Sequence, residues 1–255
     1  MTHAHAHLSR RQLLALCALS LAVPSAKATG LADRAAGWLS GNKGRLVVVL
    51  VDTSSSITAD DGRLYESALQ AVLKGIKPGD RIVLGEVADR PAPRFVAHAD
   101  HRFTAGGNSL HDKARARRTG EAVLADFATL RSNRTRPAQS TLLLDTVLAS
   151  SELLAEGRSR GQTLQLVLLS DMVEESRERS FARAAPSADQ TTRIVESLRR
   201  GGLLPNLAGV QVHAIGAAGR DAAHMASLQA FWRSYFTSAG ADLRTYGRSA
   251  GGLEP

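Results

Sequence analysis

The sequence predicts an α/β fold, a mostly parallel sheet with helices on both faces in a three-layer, Rossmann-like arrangement. Three observations predict it. Leu46–Val51 and Leu164–Leu169 are short, unbroken apolar runs rich in Val and Leu, the pattern of strands covered on both faces. Stretches with apolar residues at helical spacing alternate with the strand-like runs, which is the signature of right-handed βαβ crossovers. Both buried runs end at an aspartate, Asp52 directly and Asp171 after Ser170.

In chain order, the first 28 residues read as a leader. Paired arginines, Arg10 and Arg11, precede an apolar run from Leu13 to Val23 that is too short to span a bilayer permanently. Ala26–Ala28 then supplies small residues for cleavage. Twin arginines ahead of a mild, Ala-rich stretch resemble a twin-arginine (Tat) export signal, with Lys27 beside the cleavage point in keeping with that route. The expected location is therefore periplasmic or secreted, with no membrane span in the mature chain. Cys17 is the sole cysteine and lies inside the leader, so the mature chain has neither disulfides nor thiol chemistry. His3, His5 and His7 fall in the same removed segment and receive no metal role.

Residues 29–44 form a lead-in, residues 45–247 the domain, and residues 248–255 a tail. After the strand Leu46–Val51, apolar residues at Leu64, Ala68, Ala71 and Val72 predict a helix over Asp60–Lys74. A Lys77–Asp80 turn leads to a strand over Arg81–Val87, and Phe95–His98 is a third strand candidate. Helices are expected over Leu110–Leu130 and Thr141–Ala155, then the strand Leu164–Leu169. A helix over Ala188–Arg200 closes at Gly201 and Gly202. The strand Val210–Ile215, a helix over Ala223–Ser238 and an edge strand from Ala241 complete the order. Asp89–Ser109 and Ser176–Pro186 carry the Pro, Gly and charge content of loops.

Composition narrows the function. Of 32 basic residues three lie in the leader, leaving 29 against 24 acidic ones spread along the chain. Aromatics make up only 4%, so the interleaved basic and aromatic surface of a nucleic-acid binder is not indicated. The charge serves solubility and favours an acidic partner.

Chemistry concentrates at the strand ends. In an open parallel sheet, ligands bind outside the carboxyl ends of the strands, where strand order reverses. Asp52 and Asp171 sit there, and Thr141, opening a helix, shares the rim. In the extended segment Asp52–Ser56 alternate residues point the same way, so Asp52, Ser54 and Ser56 face one point. Carboxylates with neutral hydroxyls suit a hard divalent cation such as Mg²⁺, with Mn²⁺ possible, rather than zinc. Two carboxylates roughly cancel the ion's charge and leave room for an incoming acidic group.

"VVLVDTSSS", "STLLLDTVL" and "VLLSDM" resemble the three segments of the metal-ion-dependent adhesion site of von Willebrand factor A (vWA) domains. The resemblance places the family's D-x-S-x-S on Asp52, Ser54 and Ser56, its threonine on Thr141 and its second aspartate on Asp171. It implies a six-stranded sheet with one antiparallel edge strand, and a protein partner whose carboxylate completes the metal site. The chain departs from the family at Ser55 and Met172, where Gly is usual, and around Ala149, where the helix pattern matches only approximately.

Each residue has an ordinary structural reading. Asp52 and Thr141 could be helix caps, Ser54 and Ser56 turn residues, and Asp171 a loop charge. Their order and common rim favour a site. Asp60 and Asp61 read as first-turn residues, Asp145 as lying along its helix, and Glu174 and Glu175 as solvated. Trp232, Tyr235 and Phe236 read as core or a docking ridge, and His213 as packed. Arg115, Arg117 and Arg118 read as a solvated face able to steer an acidic partner.

The function expected is a non-enzymatic binding module. A Mg²⁺-dependent phosphoester hydrolase with Asp52 as nucleophile is the alternative, but Ser54 occupies the place where such a mechanism wants an acid/base carboxylate. A vWA scaffold that does not need its metal is a third possibility.

Overall fold

A computed structural model describes residues 43–87, 89–90, 94–105, 108–132, 140–251 and 253. The leader and most of the lead-in lie outside the described residues. The described residues belong to one compact unit.

The strands are β1 (Arg45–Val51), β2 (Arg81–Glu86), β3 (Ala97–Arg102), β4 (Thr163–Leu169), β5 (Val210–Ile215) and β6 (Asp242–Gly247). The helices are α1 (Ala59–Lys74), α2 (Ser109–Ser132), α3 (Leu143–Ser159), α4 (Ala188–Arg200) and α5 (Ala222–Ser238). The six strands lie in the order β3-β2-β1-β4-β5-β6. All neighbours are parallel except β3, which pairs antiparallel with β2 at one edge. The expected architecture, including the antiparallel edge, is the one observed.

The two-residue period of β1 builds two cores. Val47, Val49 and Val51 face α1 and α2, packing with Tyr65, Leu69, Val123 and Phe127. Leu46, Val48 and Leu50 face the other layer, with Leu143, Val147, Leu154, Leu228 and Trp232 from α3 and α5. Both sets are fully buried, which is why the run reads as continuously apolar. Trp232, Tyr235 and Phe236 are core residues, and His213 is packed, with its Nδ1 3.1 Å from Thr245 Oγ1.

Local signals set several boundaries. Thr58 and Asp61 form a reciprocal capping box at the start of α1, so Asp61 is the first-turn residue expected. Ser187 and Gln190 do the same for α4, and Asp221 caps α5. At the amino ends of the strands, Asp80 accepts from Arg45 N at 2.8 Å and from the Arg45 guanidinium at 2.8 and 3.0 Å, tying β1 to the turn before β2.

Three expectations need correction. The third strand runs over Ala97–Arg102, inside a stretch expected to be loop, and Phe95 is not part of it. The Phe95 ring instead lies over Gly85, where a Cβ would come within 2.4 Å of it, and the ladder shifts register at Leu84/Gly85. Being an exposed edge, β3 carries polar residues and lacks the apolar signal of the inner strands. Thr141 does not open α3. The helix begins at Leu143, and Thr141 forms an isolated bridge with Glu175 through N–H···O bonds of 3.0 and 2.9 Å. Glu174, expected in solvent, is only 1% exposed, because its carboxylate accepts from Leu144 N at 3.1 Å and supplies the cap that Leu142 cannot.

Candidate functional site

Strand order reverses between β1 and β4, since β2 and β3 continue on one side of β1 and β4 to β6 on the other. This is the point where a parallel sheet opens a crevice at its carboxyl edge. Asp52 follows β1 and Asp171 follows β4, so the topology alone brings these carboxylates together.

Hydrogen bonds then connect four of the five residues expected there. Asp52 Oδ1 accepts from Ser54 N at 2.8 Å, folding the segment back over the strand end. Ser54 Oγ and Ser56 Oγ are 2.9 Å apart, and Ser56 Oγ donates to Asp171 Oδ2 at 2.8 Å. The single Ser56 proton is thereby committed, so Ser54 is the donor to Ser56. Asp171 Oδ1 accepts from Val173 N at 3.0 Å. Among the described residues every donor to these two carboxylates is neutral. Ser55 is exposed and takes no part in the chain.

Thr141 joins none of those hydrogen bonds but lies on the same cleft, of ≈ 290 Å³, as Ser56 and Asp171. Its position comes from the Glu175 bridge and from Glu174, which holds the start of α3. Asp145, in the first turn of α3, is half-buried.

Electrostatics follow from this crowding. Burial, then the nearby Asp52, push the Asp171 carboxyl up to about 6, against the lowering effect of Val173 N and Ser56. Burial pushes Glu174 up to about 7, against the stabilising Leu144 amide. Burial, then Asp52 and Asp171, raise Tyr65 well above the usual phenol range. The Tyr65 and Tyr246 hydroxyls are buried with no hydrogen-bond partner among the described residues. Tyr65 reaches this position because Gly216, at φ +101, leaves space a Cβ would fill at 2.5 Å from Tyr65 Cε1.

Sequence reasoning missed several residues. Ser170, fully buried, donates from Oγ to Asp52 Oδ2 at 2.7 Å and accepts from Met172 N at 3.0 Å. Its place directly before Asp171 was the available signal. Thr53 Oγ1 donates to the Glu86 carboxylate at the end of β2. Met172 occupies the left-handed region at φ 65, alone among the described non-glycine residues. It is held there by its buried side chain, by Ser170, and by Trp232 Nε1, which donates to its carbonyl at 2.9 Å.

Asp52, Asp171, Ser54, Ser56 and Thr141 offer hard oxygen donors of the kind that Mg²⁺ or Mn²⁺ takes. The described residues contain no group of three or more His, Cys, Asp or Glu side chains placed to hold a metal ion. An ion at this rim would therefore rely on two carboxylates and the hydroxyls between them. No helix among the described residues is long and apolar enough to cross a membrane.

No protein-family model matches the sequence, and no curated protein matches it. Several solved structures align with the chain, each at a TM-score below 0.5. The SpRpn10 VWA domain aligns at a TM-score of 0.39 and 12% identity, over 82% of this chain and 91% of that one. The pilus adhesin SpaC from Lactobacillus rhamnosus GG aligns at 0.46 and 14%, over 83% of this chain but only 28% of the adhesin. Manganese-loaded TRAP from Plasmodium vivax aligns at 0.38 and 14%, over 77% of this chain and 63% of that protein.

Proposed function

We propose that this chain is an exported, non-enzymatic binding protein of the vWA type. In this reading Asp52, Ser54, Ser56, Thr141 and Asp171 hold Mg²⁺ or Mn²⁺, and a carboxylate of a protein partner completes the ion's coordination. The observation that carries it is the hydrogen-bonded chain Asp52–Ser54–Ser56–Asp171 at the reversal of strand order. Two carboxylates brought together, with only neutral donors bonded to them among the described residues, leave a net negative, oxygen-lined point. A divalent cation supplies the missing charge and acts as a Lewis acid toward an incoming carboxylate.

The protein's own part is to preorganise the donors. Ser54 N and Ser170 Oγ turn the Asp52 carboxylate, Val173 N turns that of Asp171, and the Glu174 cap and Glu175 bridge fix Thr141. A hydrolase fits this rim less well, because the position two residues after Asp52, where an acid/base carboxylate would stand, is Ser54.

The test is the melting temperature of the protein in EDTA and in increasing Mg²⁺ or Mn²⁺, beside calorimetry with either ion. A ligand that binds only the folded state raises the melting temperature with its concentration. Asp52→Ala should remove that dependence. Identical melting in EDTA and metal, with no heat of binding, would overturn the reading.

A further inference from the structure

The cleft that contains Ser56, Thr141 and Asp171 has one cationic wall, formed by Arg220 beside His224. That wall is built rather than incidental. Arg220 N donates to His224 Nδ1 at 3.2 Å, and Arg220 Nη1 donates to the Arg183 carbonyl at 2.8 Å. With Nδ1 accepting, His224 Nε2 carries the proton and donates to the Phe181 carbonyl at 2.8 Å. Phe181 stacks edge-on against Phe231 of the core at 4.7 Å. The guanidinium is thus anchored to the body of the protein while its side chain stays 63% exposed. Its acidic neighbour Asp221 is a weak competitor. The pair is 3.5 Å apart in solvent, and Asp221 Oδ1 already accepts from His224 N to cap α5.

Charge decides what the cleft can take. Asp171 and Glu175 against Arg220 give its lining a formal charge of −1. A divalent ion between Asp52 and Asp171 cancels the charge of both, so that with Glu175 and Arg220 the rim comes to zero and presents two points that attract an anion, the ion and the guanidinium. A single partner carboxylate satisfies the first and leaves the second open. Arg220 presents planar, charge-assisted donors suited to another carboxylate.

We infer that Arg220 is the second anion anchor of the rim, and that the partner presents two neighbouring acidic side chains, one for the ion and one for Arg220. This rests on the metal reading above and goes beyond it by naming the ligand as an acidic pair.

The experiment uses the full chain loaded with Mn²⁺ and short labelled peptides carrying two adjacent glutamates, one glutamate, or none, with binding followed by fluorescence anisotropy. Wild type should bind the two-glutamate peptide about threefold more tightly than the one-glutamate peptide, as expected for one ion pair at an exposed guanidinium. Arg220→Gln should erase that preference while keeping the one-glutamate affinity, the Mn²⁺ affinity and the melting temperature. Arg220→Lys should keep part of the preference. Arg183→Gln, an equal charge change at a side chain outside the cleft lining, should keep all of it. A preference unchanged in Arg220→Gln, equally reduced in Arg183→Gln, or absent in wild type overturns the assignment of Arg220 alone. A wild type that binds no Mn²⁺ overturns the metal reading, and this inference with it.

Discussion

Ser170 Oγ donates to Asp52 Oδ2 across 2.7 Å, joining the residue after β4 to the residue after β1 with both groups buried. The two strands that flank the reversal point are thus pinned at their carboxyl ends by a side-chain bond as well as by their ladder. Ser170→Ala leaves a buried carboxylate oxygen unpaired and frees Asp52 to turn. It should cost about 1–3 kcal/mol in urea unfolding, and calorimetry should show weaker Mg²⁺ binding. Unchanged values for both would mean that Asp52 is held by Ser54 N alone.

Asp171→Asn separates fold from function at the same rim. The amide has the same shape; its oxygen can accept from Val173 N while its NH2 donates to the Ser56 hydroxyl, which then accepts, and it removes the repulsion from Asp52 that helps raise this group. In EDTA the variant should melt at or above the wild-type temperature, and added Mg²⁺ should no longer shift it. A variant that melts lower yet still responds to metal would remove Asp171 from the ion's donors.

The metal-free protein should lose stability as pH rises. Asp171 is pushed up to about 6 and Glu174 to about 7, above their ordinary unfolded values near 4. The folded state therefore holds protons that the unfolded state has released. The contribution is fully present below about pH 4 and is lost as pH passes through 6 and 7. Urea midpoints in EDTA should fall between pH 5 and pH 8. Saturating Mg²⁺, which favours ionised Asp171, should flatten the part near pH 6. A midpoint that rises across this range in EDTA would contradict the burial of these two groups.

Much of this architecture was legible because it is written in local patterns. The apolar runs of β1 and β4 announce strands covered on both faces; Asp52, Ser54 and Ser56 do come together, but through a turn closed by Ile57 N on the Ser54 carbonyl at 3.2 Å rather than through the alternation of an extended segment. What the residues concealed depends on contacts between distant segments. Thr141 looks like a helix cap, yet its backbone pairs with Glu175, 34 positions on, so that it approaches the rim as a bridge residue. Glu174 looks solvated because nothing nearby in sequence announces the Leu144 amide it accepts from. β3 was placed too early because a polar edge strand has no apolar period to read.

Export can be tested from the sequence alone. Replacing Arg10 and Arg11 with Lys should leave folded precursor in the cytoplasm if the twin-arginine signal directs the chain. Cell fractionation would show it, and normal arrival of the double variant in the periplasm would assign the leader to another route.

Glu174 gives the sharpest test of how the rim is positioned. Its buried carboxylate caps α3 from another segment, while Tyr235, electrostatically coupled to it, has a buried hydroxyl with no partner among the described residues. Glu174→Ala exposes the Leu144 amide to a dry, unpaired environment and should cost about 1–3 kcal/mol in urea unfolding. It should also weaken metal binding, because the start of α3 that carries Thr141 to the cleft loses its anchor. Glu174→Gln keeps an acceptor oxygen for Leu144 N and cannot ionise. It should cost little, retain the metal response, and remove the step near pH 7 from the stability profile while leaving the step near pH 6. If Gln proves as damaging as Ala, the charge on Glu174 holds α3, and the pH profile of the wild type should then show no loss near 7.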